Sequence, residues 1–185
     1  MSEPEKKSRS FLFKACKFLL FFLVLAAAAI AGLGLFVLDG QYEVTREITI
    51  QSPPEAVHQQ VGDLREWPNW LPFTKHDQSV KTTIEQPTGA DARQHWTSAH
   101  GTGKLNFTAS DEQKGVAYTM LFDEKYPAQG WITYTKVGDD TRVTWRMTGQ
   151  NGDFVGNWLA AAMPMMVGPA FEEGLNDLKT KVEAK

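Results

Sequence analysis

Cysteine is nearly absent from this sequence, with one among 185 residues, Cys16. No disulfide can form within the chain, and everything after residue 16 tolerates an oxidising compartment. The LFKAC stretch around Cys16 has no apolar region before it of the kind a lipoprotein signal needs, so lipidation is not expected. Histidine is scarce as well: His58, His76, His95 and His100 make up the set. His95 and His100 have opposite parity on any one strand, His58 has no ligand partner four residues away, and His76-Asp77 is an adjacent pair. Zinc-type spacing is missing, and neither metal nor cofactor is expected. The chain shows no internal repeat and no low-complexity tract, and HGTGK is too short to be a phosphate loop.

Charge is missing from residues 18–38, FLLFFLVLAAAAIAGLGLFVL. As a helix this run is about 30 Å long, the thickness of a bilayer core. A cleaved signal peptide has a shorter apolar core, about 7–15 residues, ending at small residues. Here the apolar run continues past AAAAIAG through LGLFVL, which favours an uncleaved transmembrane anchor. Lys6, Lys7, Arg9, Lys14 and Lys17 precede it, and Asp39 and Glu43 follow. The basic flank marks the cytoplasmic side. The expected organisation is a cytoplasmic segment 1–17, a single span 18–38 and an external domain 42–185, on the periplasmic face of a bacterial inner membrane. Five of the 19 basic and three of the 22 acidic residues precede Tyr42, so the external part carries about −5. That balance argues against nucleic acid and against electrostatic docking on anionic lipid.

Residues 42–50, YEVTREITI, alternate as a strand does, with Tyr42, Val44, Arg46, Ile48 and Ile50 on one face. Ser52-Pro53-Pro54-Glu55 opens a short helix, with serine able to cap it and proline tolerated in its first turn. REWPNWLPF follows, with Trp67 and Trp70 three apart and Pro68 and Pro72 around them. Six strand signals then run in series: SVKTTIE, ARQHWTSA, KLNFTAS, VAYTMLFD, GWITYTKV and TRVTWRMT. They are separated by PTGAD, HGTG, DEQKG, DEKYPAQ and GDD, which have turn chemistry. In the last strand Val143, Trp145 and Met147 face one way, and Arg142, Thr144, Arg146 and Thr148 the other. From Asp153 the apolar spacing turns helical, interrupted at Pro164 and Pro169, where a kink or a split is expected. Residues 169–183, PAFEEGLNDLKTKVE, form an amphipathic helix. The element order implies an α+β domain, a sheet whose apolar face is covered by the terminal helix.

This order resembles the SRPBCC superfamily, the helix-grip fold of START and Bet v 1-like proteins, and within it the polyketide cyclase/dehydrase-like branch. The resemblance rests on REITIQSPPEAVHQQVGDL, REWPNWLPF, GWITYTKVGDDTRVTWRM and FEEGLNDLK. It implies a curved antiparallel sheet of about seven strands wrapped around a long C-terminal helix, with a cavity between them for lipids or other apolar molecules. The expected function is membrane-anchored binding of a hydrophobic small molecule or lipid. Two alternatives stand beside it: an enzyme of the cyclase/dehydratase type in the same cavity, and an envelope protein-interaction module. No catalytic constellation stands out. The residues expected to line the cavity are Trp67, Trp70, Trp96, Phe107, Tyr118, Trp145, Met147, Met166 and Phe171. A filled structural core would account for the same set.

Overall fold

Alternation of apolar and polar side chains along residues 41–50 and 140–150 sets the frame of the fold. The computed structural model describes residues 5–184. Seven strands form one antiparallel, curved sheet: β1 (Gln41–Ile50), β2 (Lys81–Gln86), β3 (Arg93–Ser98), β4 (Gly101–Asp111), β5 (Gly115–Phe122), β6 (Tyr126–Val137) and β7 (Asp140–Gln150). Their order is β1-β7-β6-β5-β4-β3-β2, so the first and last strands pair, Val44 opposite Met147 and Ile50 opposite Thr141. The helices are α1 (Glu5–Phe36), α2 (Pro54–Val61), α3 (Pro72–His76) and α4 (Phe154–Glu183). The chain divides into two units, one ending at Asp39 and the other beginning at Gly40.

In the first unit α1 is one apolar helix, exposed along residues 18–30. Among the described residues two helices are long and apolar enough to cross a membrane, within Lys17–Gly34 and Phe154–Glu183. The second of these, α4, packs on the sheet of the second unit. Its Phe171, Leu175, Leu178 and Val182 are buried in one core with Ile50, Val143 and Trp145 of the sheet. The Phe171 ring stacks on Trp145 with centroids 3.8 Å apart and planes 6° apart. Each such side chain contributes about 1.5–3 kcal/mol when fully buried.

Four local expectations need correction. Helix α4 is one helix through Pro164 and Pro169 rather than split there. It is anchored by Phe171, Leu175, Leu178 and Val182 of its second half, whose burial offsets the two backbone bonds that proline cannot make. The HGTG segment is not all turn: β4 begins at Gly101, and Gly103 lies inside it under the ring of Trp96. Likewise DEKYPAQ turns only at 123–125, where Asp123 and Glu124 take positive φ, and β6 starts at Tyr126. Ser52 does not cap α2. The cap position is Pro53, and the Ser52 carbonyl instead accepts from the Thr141 hydroxyl at 2.7 Å.

Candidate functional site

The tryptophans of REWPNWLPF are explained by the helix before them. Helix α2 ends at Val61, and its last carbonyls have no partner within the helix. The Trp67 Nε1–H donates to the Val61 carbonyl at 2.8 Å and the Trp70 Nε1–H to the Gln60 carbonyl at 3.2 Å. A single 3₁₀ turn, Trp67–Asn69, sets the two indoles side by side, with centroids 5.4 Å apart. Helix α3 then begins at Pro72. The segment ties the end of α2 to the core and closes one side of a cavity.

That cavity has a volume of about 620 Å³, within the range of about 300–1,000 Å³ usual for small-molecule sites. One wall is the sheet, with Tyr42, Trp96, Tyr118, Met120, Trp145 and Met147. The opposite wall is α4, with Leu159, Met163, Met166, Val167 and Phe171. Trp67, Leu71, Pro72 and Phe73 close the side between them. Methionines on both walls give an adaptable, polarisable lining.

Three aromatic rings of the sheet wall share one device. Tyr42 stands directly across from Gly149, Trp96 from Gly103, and Tyr118 from Gly130. A Cβ on any of the three glycines would come within 2.4 Å of the side chain opposite. Absence of a side chain there lets each ring lie flat on the neighbouring strand, leaving the space above it open.

The interior holds few polar groups. Gln94 is buried. The Tyr118 hydroxyl accepts from the Trp145 Nε1–H at 2.9 Å, and burial pushes its pKa upward, so the phenol stays protonated. Titratable residues lie at the rim. The carboxyl of Asp77 is held low by the Ser79 hydroxyl and backbone N–H, His76 Nε2 meets Glu173 at 2.9 Å, and Asp123 accepts from the Thr102 backbone N–H at 2.8 Å. No cluster of three metal-ligating side chains occurs among the described residues. The chemistry available inside is therefore mainly apolar burial, with the buried Tyr118 phenol able to donate a hydrogen bond.

Of the nine residues expected to line the cavity, Trp67, Trp96, Tyr118, Trp145, Met147, Met166 and Phe171 are on its wall. Trp70 and Phe107 are not. Trp70 is fully buried, edge-on to Trp145 at 5.6 Å, and the Phe107 ring packs on Trp67 at 5.7 Å. Both belong to the solid core, shielded by the indole of Trp67. Sequence reasoning missed Tyr42, Met120, Phe73 and Phe122. Tyr42 had a visible signal, its place on the apolar face of β1.

The wider comparisons follow the same outline. A search of curated proteins returned no match. Among solved structures, the chain is similar to the Zhui aromatase/cyclase from Streptomyces sp. R1128 (13% identity, TM-score 0.61, 77% of this chain and 94% of that one). It is also similar to a Thermus thermophilus protein (20%, 0.55, 77% and 97%). A Chromobacterium violaceum protein is a further match (14%, 0.58, 76% and 96%). At such identities these likenesses establish the fold alone. Residues 41–183 match the family model described as polyketide cyclase / dehydrase and lipid transport, and the chain belongs to that SRPBCC-type family.

Proposed function

We propose that this protein binds a hydrophobic small molecule or lipid between its sheet and α4, while residues 18–38 hold it in a membrane. In this reading the domain 42–185 lies on the periplasmic face of a bacterial inner membrane, with residues 1–17 in the cytoplasm. The observation that carries the reading is the cavity of about 620 Å³ with its apolar and aromatic walls. A tether would raise the concentration of the domain beside lipid-borne ligands. The core of the second unit is built wholly from residues 44–182, so residues 40–185 can be produced alone. Mass spectrometry of that fragment should detect co-purified apolar molecules, and an apolar fluorescent dye should be displaced by them. A fragment that carries none and leaves the dye free in water would refute the proposal.

A second reading, catalysis in the same cavity, is favoured by one observation, the buried Tyr118 hydroxyl on the wall. Its raised pKa suits a hydrogen-bond donor to a carbonyl rather than a base. If turnover of any polyketide-like carbonyl compound is found, Tyr118→Phe should lower kcat; unchanged kcat would remove Tyr118 from the chemistry.

A further inference from the structure

Helix α4 has two unlike halves. Residues 154–171 contain no charged side chain, whereas from Glu172 onward the outward positions are Glu172, Asn176, Thr180 and Lys181. A core helix normally turns charge to water along its whole length. Here the outer face of the first half carries Phe154, Val155, Met165 and Met166, which are 41%, 64%, 82% and 60% exposed. Phe154 and Met165 lie about three turns of helix apart, as do Val155 and Met166, so the four form one stripe. Phe122 and Phe73, 39% and 44% exposed, lie on the rim of the cavity that Met166 also lines.

This stripe lies at the end of the domain where the chain enters it. The Asn151 backbone N–H, just before α4, donates to the Gly40 carbonyl at 2.9 Å. A Cβ on Gly40 would strike the Asn151 carbonyl and the Asn157 side chain. A span over residues 18–38 leaves only Asp39 and Gly40 before β1. Of the polar groups nearby, Lys125 pairs with Asp153 at 2.5 Å and His76 Nε2 meets Glu173 at 2.9 Å, while the rim carboxylates Asp77 and Asp123 accept from Ser79 and Thr102.

We propose that the outer stripe of the first half of α4, with Phe122 and Phe73, docks into the interface of the membrane that residues 18–38 span, so that the cavity opens onto the bilayer. This rests on the anchored reading above. Apolar helix faces of this kind lie in the headgroup–acyl boundary, and exposed apolar patches mark such contacts. Because residues 154–171 carry no charge, the contact is apolar and zwitterionic lipid suffices.

The test uses the full chain with Cys16→Ser, reconstituted in phosphatidylcholine vesicles. An environment-sensitive fluorophore is placed through Val155→Cys, Met165→Cys or, as a control on the charged half, Lys181→Cys. All three sites are exposed, so labelling leaves the core intact. The expected result is blue-shifted emission at 155 and 165, quenched by nitroxide lipids and shielded from iodide, with the reverse at 181. Labels at 155 and 165 as open to iodide as 181 would overturn the docking while the anchor stood. Labels shielded from both quenchers would mean a protein partner or second copy, and would also overturn it. Release of the chain by alkaline carbonate would overturn the anchor and the docking together.

Discussion

At the scale of single residues, the cavity depends on glycines as much as on the aromatics beside them. Gly130 leaves room for the Tyr118 ring, which is held by Trp145 and packs edge-on to Trp67 with centroids 5.8 Å apart. Gly130→Ala drives that ring off the strand, and overpacking of this kind costs about 1–3 kcal/mol. A lower urea midpoint is expected, with weaker dye binding. Gly152→Ala is the control, because no atom lies within 4 Å of its Cβ position; it should leave dye binding unchanged and should not lower the urea midpoint. Equal effects at both positions would show that the ring–glycine contact does not shape the cavity.

At the scale of elements, α2 and α4 close the sheet in different ways. Helix α2 carries the half-buried His58, whose Nδ1 meets the Tyr134 hydroxyl at 3.3 Å and whose Nε2 meets the Ser110 hydroxyl at 3.2 Å. Burial holds the imidazole below its ordinary pKa, against the opposing pull of Glu112 and Asp111. With a depressed folded value, the unfolded chain takes up the proton first as pH falls. The contribution of His58 is therefore complete above the unfolded value of about 6.5 and is lost as pH falls below it. Urea midpoints measured from about pH 7.5 to about pH 5 should fall more steeply for the native sequence than for His58→Gln. Parallel curves would mean that His58 does not titrate differently on folding. Helix α4 starts at Asp153, whose carboxylate accepts from the Gly156 N–H at 2.6 Å. The Lys125 ammonium first, and that N–H second, hold its pKa low. This contribution persists above the ordinary carboxylate range and fails only as pH drops through the lowered value.

At the scale of the whole molecule, the second unit holds a complete core, from Val44 to Val182, with a cavity inside it. Residues 40–185 should therefore unfold in one cooperative step, with near- and far-ultraviolet circular dichroism transitions coinciding. A near-ultraviolet signal that melts earlier would show packing that needs the first unit. The aromatic cluster of Trp67, Trp70, Tyr118, Trp145 and Phe171 runs from the α2 side to α4, so near-ultraviolet signals report the packing of the core and of the cavity wall together.

The sequence by itself determined the apolar run 18–38, the strand series, the covering helix and the family outline, because periods of two and 3.6 residues and uncharged length are local properties. It also marked most of the wall, since Trp145, Met147 and Phe171 stand on apolar faces. Only the tertiary structure decided that Trp70 and Phe107 are core while Tyr42 and Met120 line a space. Parity puts a side chain on a face but cannot say how far the opposite layer stands from it. The glycines opposite Tyr42, Trp96 and Tyr118 became legible only through cross-strand register, which can join residues from opposite ends of the domain, as it does Tyr42 and Gly149. The continuity of α4 through two prolines was likewise visible only in the fold, where burial of its second half on the sheet adds a long-range contribution that local propensity does not contain.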